Sequence, residues 1–226
     1  FGKYVGSEIL EMILRCPEKN WLKGDKGEAT VVFADIRGFT SYSGCREPER
    51  VVEELNEFFE IATEIISAHG GYVDKFIGDA VLGVFGVPVY YSDHMRRAVR
   101  ACLEMIETFR LKGRDGNLLL PSAALSANAG LVVSGNIGSQ SRMEYTVIGD
   151  TVNLASRINS LAGPGELIVG NAIYEKLGAS LEAEALAPVQ IKGKLELVET
   201  YRVKSFLDRE QREESENEYE FMEKFG

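Results

Sequence analysis

Cysteine is scarce in this chain of 226 residues, with Cys16, Cys45 and Cys102 odd in number and widely spaced. Such a set supports neither a disulfide framework nor a thiolate metal site, so the sequence reads as a protein of the reducing cytoplasm. Long apolar runs are also missing, and no stretch approaches the length that crosses a membrane. No secretory signal is visible. The chain starts Phe1-Gly2-Lys3-Tyr4-Val5 without an initiator methionine and reads as a piece of something longer. Membrane attachment is expected only through modules outside it. Positive charge is in deficit, with a formal net charge of −10. A nucleic-acid binder needs a basic face, so nucleic acid is excluded as a partner. A nucleotide site can still be locally positive. No internal repeat stands out. What is present is 45 % apolar, enough to fill the core of one large domain or one domain with appendages.

The pattern along the chain alternates strands and helices. Ser7 can cap a short amphipathic helix whose Ile9, Leu10, Ile13 and Leu14 share a face. It reads either as a helix docked on the domain or as the end of a linker. Lys23 to Gly27 reads as a turn. Ala29 to Ile36 is a near-continuous apolar run, expected of a strand buried on both faces. Pro48 suits a helix start, and Val52, Leu55, Phe59, Ala62 and Ile66 then recur at spacings of three and four until Gly70-Gly71. Tyr72–Phe76 and Ala80–Phe85 read as a hairpin. Ser92 or Asp93 can cap a second helix, with Ala98, Cys102, Met105, Ile106 and Phe109 on its buried side.

A polar loop follows from Lys112 to Pro121, then a strand from Ala123 to Val133. Asn136 to Arg142 reads as an exposed loop or arm, and Tyr145 to Ile148 as a short strand. Asp150 can cap a helix striped by Val152, Ala155, Ile158 and Leu161. Leu167–Val169 is a strand, Ala172–Leu177 a short helix, and Val189–Val203 a hairpin turning near Gly193. Hairpins among the alternating elements call for a mixed sheet. The final segment, Asp208 to Gly226, carries eight acidic and three basic residues and reads as a solvated helix or an acidic tail.

Two stretches carry the chemistry. In Val31–Thr40, Asp35 ends the apolar run before Gly38-Phe39-Thr40. In Lys75–Leu82, Asp79 follows Gly78 as in a tight hairpin turn. Two carboxylates on neighbouring strand ends can share hard divalent cations, because Mg²⁺ takes one or two carboxylates and completes its shell with water and phosphate. Each Asp taken alone reads equally as a cap or turn residue. Gly38 permits close backbone approach, and Thr40 can cap the next helix, facing amides toward a phosphate. Lys75 can reach a base edge or simply sit on a surface strand. Asn153 and Arg157 stand four apart on a predicted helix and share a face, suited to a ribose and a phosphate, or to an ordinary helix surface. Lys192 and Lys194 flank a hairpin glycine and can reach a triphosphate or solvent.

Taken together these motifs resemble the catalytic domain of class III nucleotidyl cyclases, adenylate cyclases in particular. The resemblance runs from about residue 28 to 204. It rests on Phe33–Thr40, Lys75–Asp79, Tyr145–Arg157 and Ile191–Lys194, in the family's order and spacing. It implies an α+β, ferredoxin-like (palm-like) mixed sheet flanked by helices. It also divides the chain into a linker or helix at 1–27, a catalytic domain at 28–206 and a tail at 207–226. By resemblance Asp35 and Asp79, with the Ile36 carbonyl, hold two Mg²⁺ or Mn²⁺ ions. Phe39 and Thr40 border the substrate. Lys75 and Thr146 read the purine, where guanylate cyclases carry Glu and Cys. Asn153 orients the ribose, Arg157 stabilises the transition state, and Lys192 or Lys194 meets the triphosphate.

Thr146 also resembles a subgroup that includes bicarbonate-responsive enzymes, which implies bicarbonate regulation. Ser126-Ala127-Asn128-Ala129-Gly130 departs from the family's usual Gly-Ile-Asn-Thr-Gly. The implied reaction is attack of the ribose 3′-oxygen of ATP on its α-phosphorus at sites shared across a homodimer. The metal aspartates come from one chain and Lys75, Thr146, Asn153 and Arg157 from the other. The competing readings are a guanylate cyclase, a non-catalytic nucleotide-binding dimerisation module, and a diguanylate cyclase, whose Gly-Gly-Asp/Glu-Glu-Phe signature is absent.

Overall fold

The strand around Asp35 is the spine of the molecule. In the computed structural model, which describes residues 24–117, 119–139, 142–190 and 197–207, β1 spans Asp25–Ile36. Its apolar residues alternate between two cores. Val32, Ala34 and Ile36 enter the larger one, and Val31 and Phe33 the smaller. Successive strand residues face opposite ways, so the unbroken apolar run is the signature of a strand covered on both sides.

Eight strands form the main sheet in the order β2-β3-β1-β4-β6-β10-β7, with β5 pairing β4 outside that path. They are β2 (Tyr72–Ile77), β3 (Ala80–Phe85), β4 (Ala123–Ser139), β5 (Arg142–Ile148), β6 (Leu167–Gly170), β7 (Leu181–Ala185) and β10 (Thr200–Phe206). The β4–β6 pair is parallel and the others are antiparallel, so the sheet is mixed as the pattern required. Two long helices, α1 being only the short turn Phe39–Ser43, pack on the larger core: α2 (Pro48–Ala68) and α3 (His94–Lys112). Phe58, Met105 and Phe109 are buried there beside Leu125 and Leu167. On the opposite face lies α4 (Asp150–Asn159), whose Ala155 closes the smaller core; α5 (Asn171–Leu177) puts Ile173 and Leu177 into the larger core, on the face of α2 and α3. This is the mixed α+β sheet with flanking helices that the motifs implied. Among the described residues no helix is long and apolar enough to cross a membrane.

Several boundaries differ from the sequence expectation. The segment read as a turn at residues 23–27 begins β1 at Asp25, because β4 runs long enough to pair with it, as far as Asp25 with Ser134. Of the expected stripe of α2, Ala62 and Ile66 are buried and Leu55 and Phe59 pack against the larger core, but Val52 departs from it. Val52 is 56 % exposed, and the buried series is Val51, Glu54, Phe58, Ile61, Ala62, Ile65 and Ile66. One residue is about 100° of helix, so Val52 turns off the face that Val51 occupies. Glu54 hides the true stripe from a hydrophobicity count. It is buried because the Tyr42 hydroxyl, at 2.5 Å, and Arg50 Nε, at 3.0 Å, donate to its carboxylate.

Asn136–Ser139 is the end of β4, and with β5 it forms the projecting arm. The Val189–Val203 hairpin is shorter than expected. Val189–Gln190 (β8) pairs Leu197–Val198 (β9), while Thr200–Phe206 leaves to join the main sheet between β6 and β7. Gly149 rather than Asp150 is the N-cap residue of α4. The expected helix at Ser7–Leu14 and the acidic tail lie outside the described residues.

The turn from α2 into β2 is packed to contact. A Cβ added at Gly71 would lie 2.6–2.9 Å from three ring atoms of Phe85, which is fully buried and has no room to move. Overpacking of this kind costs about 1–3 kcal/mol. Gly71→Ala is expected to lower the urea-unfolding free energy by roughly that amount without altering the denaturant slope.

Candidate active site

Asp35 sits one residue from the end of β1, opposite Ala80 of β3 on one side and Ala124 of β4 on the other. Gly78 adopts φ +64° in the β2–β3 turn, a left-handed backbone that glycine takes without strain. That turn brings Asp79 near enough to Asp35 for its charge to act on the Asp35 carboxyl. Burial raises the Asp35 carboxyl above its ordinary range; the Asp79 charge raises it further, and Arg37 opposes both. Two like charges held together call for a cation. No group of three His, Cys, Asp or Glu gathers among the described residues, so two carboxylates and backbone oxygen are what the chain offers. That donor set suits Mg²⁺ or Mn²⁺, which fill their remaining positions with water and phosphate. The Ile36 side chain is buried in the core, leaving only its carbonyl as a candidate ligand.

Arg37 braces this pair, a role the motif alone did not suggest. Its Nη1 donates to Asp35 Oδ2 at 2.5 Å, its Nε to the Ala162 carbonyl at 2.9 Å, and its Nη2 to both the carbonyl and Oδ1 of Asn159. The i, i+2 spacing on an extended chain, which puts Arg37 on the side of Asp35, was the available signal. The guanidinium therefore joins the Asp35 end of the sheet to the end of α4.

Polar side chains hold α4 in place at several further points. Asn159 Nδ2 donates to the Phe33 and Ala124 carbonyls at 3.3 and 3.1 Å. Ser126 Oγ donates to the Ala155 carbonyl at 2.8 Å, and Asn128 Nδ2 to the Thr151 carbonyl at 3.0 Å. The unusual Ser126–Gly130 segment is thus the seat of the helix. A Cβ at Gly130 would lie 2.8 Å from Thr151 Oγ1. On the helix so fixed, Asn153 is exposed and Arg157 half-buried.

The third group lies between β2 and β5. Lys75 Nζ is 3.1 Å from Glu144 Oε2 and 3.8 Å from Asp74 Oδ2. Thr146 Oγ1 donates to Asp74 Oδ2 at 2.7 Å. Asp74 is the extra residue of a β-bulge, since Val73 pairs Gly83 and Lys75 pairs Leu82. Its side chain is fully buried. Burial pushes its carboxyl up to about 6, against the Thr146 hydrogen bond and the Lys75 charge, which lower it. Asp74 was not singled out from the sequence, although a carboxylate within an apolar strand is itself a signal.

Asp35, Lys75, Thr146 and Asn153 line one groove of about 460 Å³, with Phe33 and Ser156 between them. Asp79 joins through Asp35. Arg157, one turn beyond Asn153, is not among the lining residues. Phe39 is half-buried against the main core, and Thr40 is exposed on α1. Thr40 does not cap that helix: Gly38, at φ 75°, is the N-cap, and Thr40 lies inside the first turn. Lys192 and Lys194 lie outside the described residues.

The family model of the adenylate and guanylate cyclase catalytic domain matches residues 23–205. Adenylate cyclase 1 of Rhizobium meliloti (strain 1021) is 29 % identical over 208 residues, covering 90 % of this chain and 31 % of its own length. The crystal structure of the adenylyl cyclase CyaB from P. aeruginosa superposes with a TM-score of 0.77 at 29 % identity, covering 83 % of this chain and 98 % of that one. The guanylyl cyclase Cya2 gives 0.76 at 35 %, covering 82 % and 96 %. The likeness thus extends to both nucleotide specificities. The chain spans about a third of the length of the curated relatives it matches.

The Asp74 carboxyl has a measurable consequence. Its value of about 6 lies above the ordinary 3.8, so the folded chain holds this proton more tightly than the unfolded one. Ionising it weakens the fold as pH rises from about 4 to 6. In urea-unfolding experiments the stability of Asp74→Asn relative to the unmutated chain is expected to rise by roughly 2–3 kcal/mol between pH 4 and pH 7. A difference that stays flat across that range would contradict the burial described here.

Proposed function

The chain belongs to the adenylate and guanylate cyclase catalytic domain family, and from that membership we propose that it is an adenylate cyclase, converting ATP to 3′,5′-cyclic AMP and pyrophosphate. The observation that carries the choice of base is the Lys75–Thr146 pair in the groove that Asp35 also lines. An ammonium can only donate. Adenine N1 accepts, whereas guanine N1 carries a proton and would meet Lys75 donor to donor. Guanylate cyclase is the second reading, and Cya2 is the observation that favours it.

Asp35 and Asp79, with the Ile36 carbonyl, would hold two Mg²⁺ or Mn²⁺ ions. Such ions supply acidification of the ribose 3′-hydroxyl and neutralisation of the phosphates. The chain's own part is orientation and charge. Arg37 keeps the Asp35 carboxylate aimed. Lys75 and Thr146 hold the base, and Asn153 orients the ribose so that the 3′-oxygen stands in line with the α-phosphorus. Arg157 offsets the negative charge that grows on the α-phosphate. Phe39 and Thr40 border the phosphates, and Lys192 or Lys194 meets the triphosphate.

A homodimer completes the site in this reading. Arg157 does not line its own chain's groove, while Ile77 and Ile148, each 49 % exposed, do. Exposed apolar residues beside an unfinished polar site suit a second copy placed over it. With C₂ symmetry the same face serves both chains and yields two equivalent sites, each with Asp35 and Asp79 from one chain and Lys75, Thr146, Asn153 and Arg157 from the other. Bicarbonate regulation is an expectation from Thr146 alone.

Cyclic nucleotide formation from ATP and from GTP, with Mg²⁺ and with Mn²⁺ across protein concentration, tests the reading. Cyclic AMP is expected to dominate, with specific activity rising as dimers form. Predominant cyclic GMP, or nucleotide binding without turnover, would overturn it. Asp35→Ala and Arg157→Ala are each expected to be inactive, and their mixture to regain activity through one intact site per heterodimer. Silence of the mixture would contradict shared sites.

A further inference from the structure

The fully buried Asp74 has no place in the roles assigned above. It sits at a bulge, where the extra residue turns its side chain under β5. One oxygen, Oδ2, accepts the Thr146 hydroxyl at 2.7 Å and lies 3.8 Å from Lys75 Nζ. The other, Oδ1, is buried and has no hydrogen-bond partner among the described residues, as is true of the nearby Tyr72 hydroxyl. A carboxylate kept in this state costs stability, and the surrounding apolar packing does not call for it. Costly groups of this kind concentrate where function requires them.

We propose that Asp74 is a specificity-determining positioning residue: by accepting the Thr146 proton, it leaves Thr146 able only to accept a hydrogen bond from the base. This rests on the adenylate cyclase reading and names how the base is chosen. A hydroxyl has one proton and two lone pairs. An ionised carboxylate cannot donate, so the direction of the Asp74–Thr146 bond is fixed. What Thr146 then presents to the groove is a lone pair. A purine with an amino group at position 6 donates to it. A purine with a carbonyl there brings acceptor against acceptor in a site where Thr146 is only 8 % exposed, and water has little access to repair the mismatch. Lys75 does not rescue such a base, since the ring nitrogen it faces in this reading then carries a proton and meets the ammonium donor to donor. Free to rotate, the same threonine hydroxyl would serve either base. Asp74 makes it a one-way reader, and unpaired buried polar groups discriminate strongly between substrates.

The test compares kcat/KM for ATP and for inosine triphosphate, which replaces the 6-amino group by a carbonyl and adds nothing at position 2. Asp74→Asn keeps the shape but offers Thr146 either a donor or an acceptor, which releases the hydroxyl proton for the base. The ATP preference is expected to fall about tenfold, equivalent to ~1.4 kcal/mol. Thr146→Val is expected to lose a similar share of the preference. In the Thr146→Val background, Asp74→Asn is expected to change the ratio less than twofold.

A structural role alone would lower both nucleotides equally and leave the ratio in place, which overturns the inference. So does an Asp74→Asn effect of equal size with or without Thr146. Should Asp74→Asn fail to fold, an unaltered preference in Thr146→Val overturns it instead. An unmutated chain that prefers GTP, or makes no cyclic nucleotide, overturns the adenylate cyclase reading and this inference with it. An unmutated chain that prefers ATP, with a ratio unmoved by Asp74→Asn, overturns this inference alone.

Discussion

Two carboxylates held side by side at the end of a buried strand are the constraint to which the rest of the site answers. Asp35 is fixed by pairing on both sides of β1, and Asp79 by the glycine turn that follows β2. The backbone of Asp35 cannot shift without breaking the sheet's register. Their mutual repulsion is offset from the protein side by Arg37, whose guanidinium also grips Asn159 and Ala162. The cation that steadies the metal end is therefore the one that steadies the helix bearing Asn153 and Arg157. In a dimer with shared sites, those two residues serve the neighbouring site. One side chain would then sit between the two halves of machinery that work on different substrates.

The two ends of the groove solve opposite problems. At the end that bears Asp35 and Asp79, charge is partly open to solvent, where ions can reach it. At the base end, charge is sealed under β5. Asp74 is fully covered, and in low dielectric each hydrogen-bond direction counts for more. Discrimination between purines, as proposed for this end, would need that seclusion, because water would otherwise satisfy the wrong base as well as the right one.

Much of the fold could be read in the residues. The doubly buried β1, the glycine-turned hairpin carrying Asp79, the proline at the start of α2 and the mixed sheet all follow from local pattern. The first turns of α2's buried face did not, because Glu54 occupies a core position there and only the Tyr42 and Arg50 donors to its carboxylate explain it. The start of β1 at Asp25 was hidden as well. A short polar, glycine-bearing stretch reads as a turn until the length of its partner strand is known. Among site residues, Asp35, Lys75, Thr146 and Asn153 were singled out by motif and do line one groove. Arg37 inside the first motif and Asp74 just ahead of the second passed unnoticed, since neither position shows chemistry until its partner, distant in sequence, is in place.

The sequence by itself determined which residue types stand at the strand ends and turns, and hence the chemistry on offer: two carboxylates for hard cations, donors for a base, a guanidinium on a helix. Periodicity and turn chemistry are local, so they survive in one dimension. Tertiary structure alone decided which way those groups point and what restrains them. The bond of Thr146 to Asp74, the seat of α4 on Ser126 and Asn128, and the grip of Arg37 on Asn159 each join segments far apart in the chain. A hydrogen bond's direction depends on the partner that the fold delivers to it.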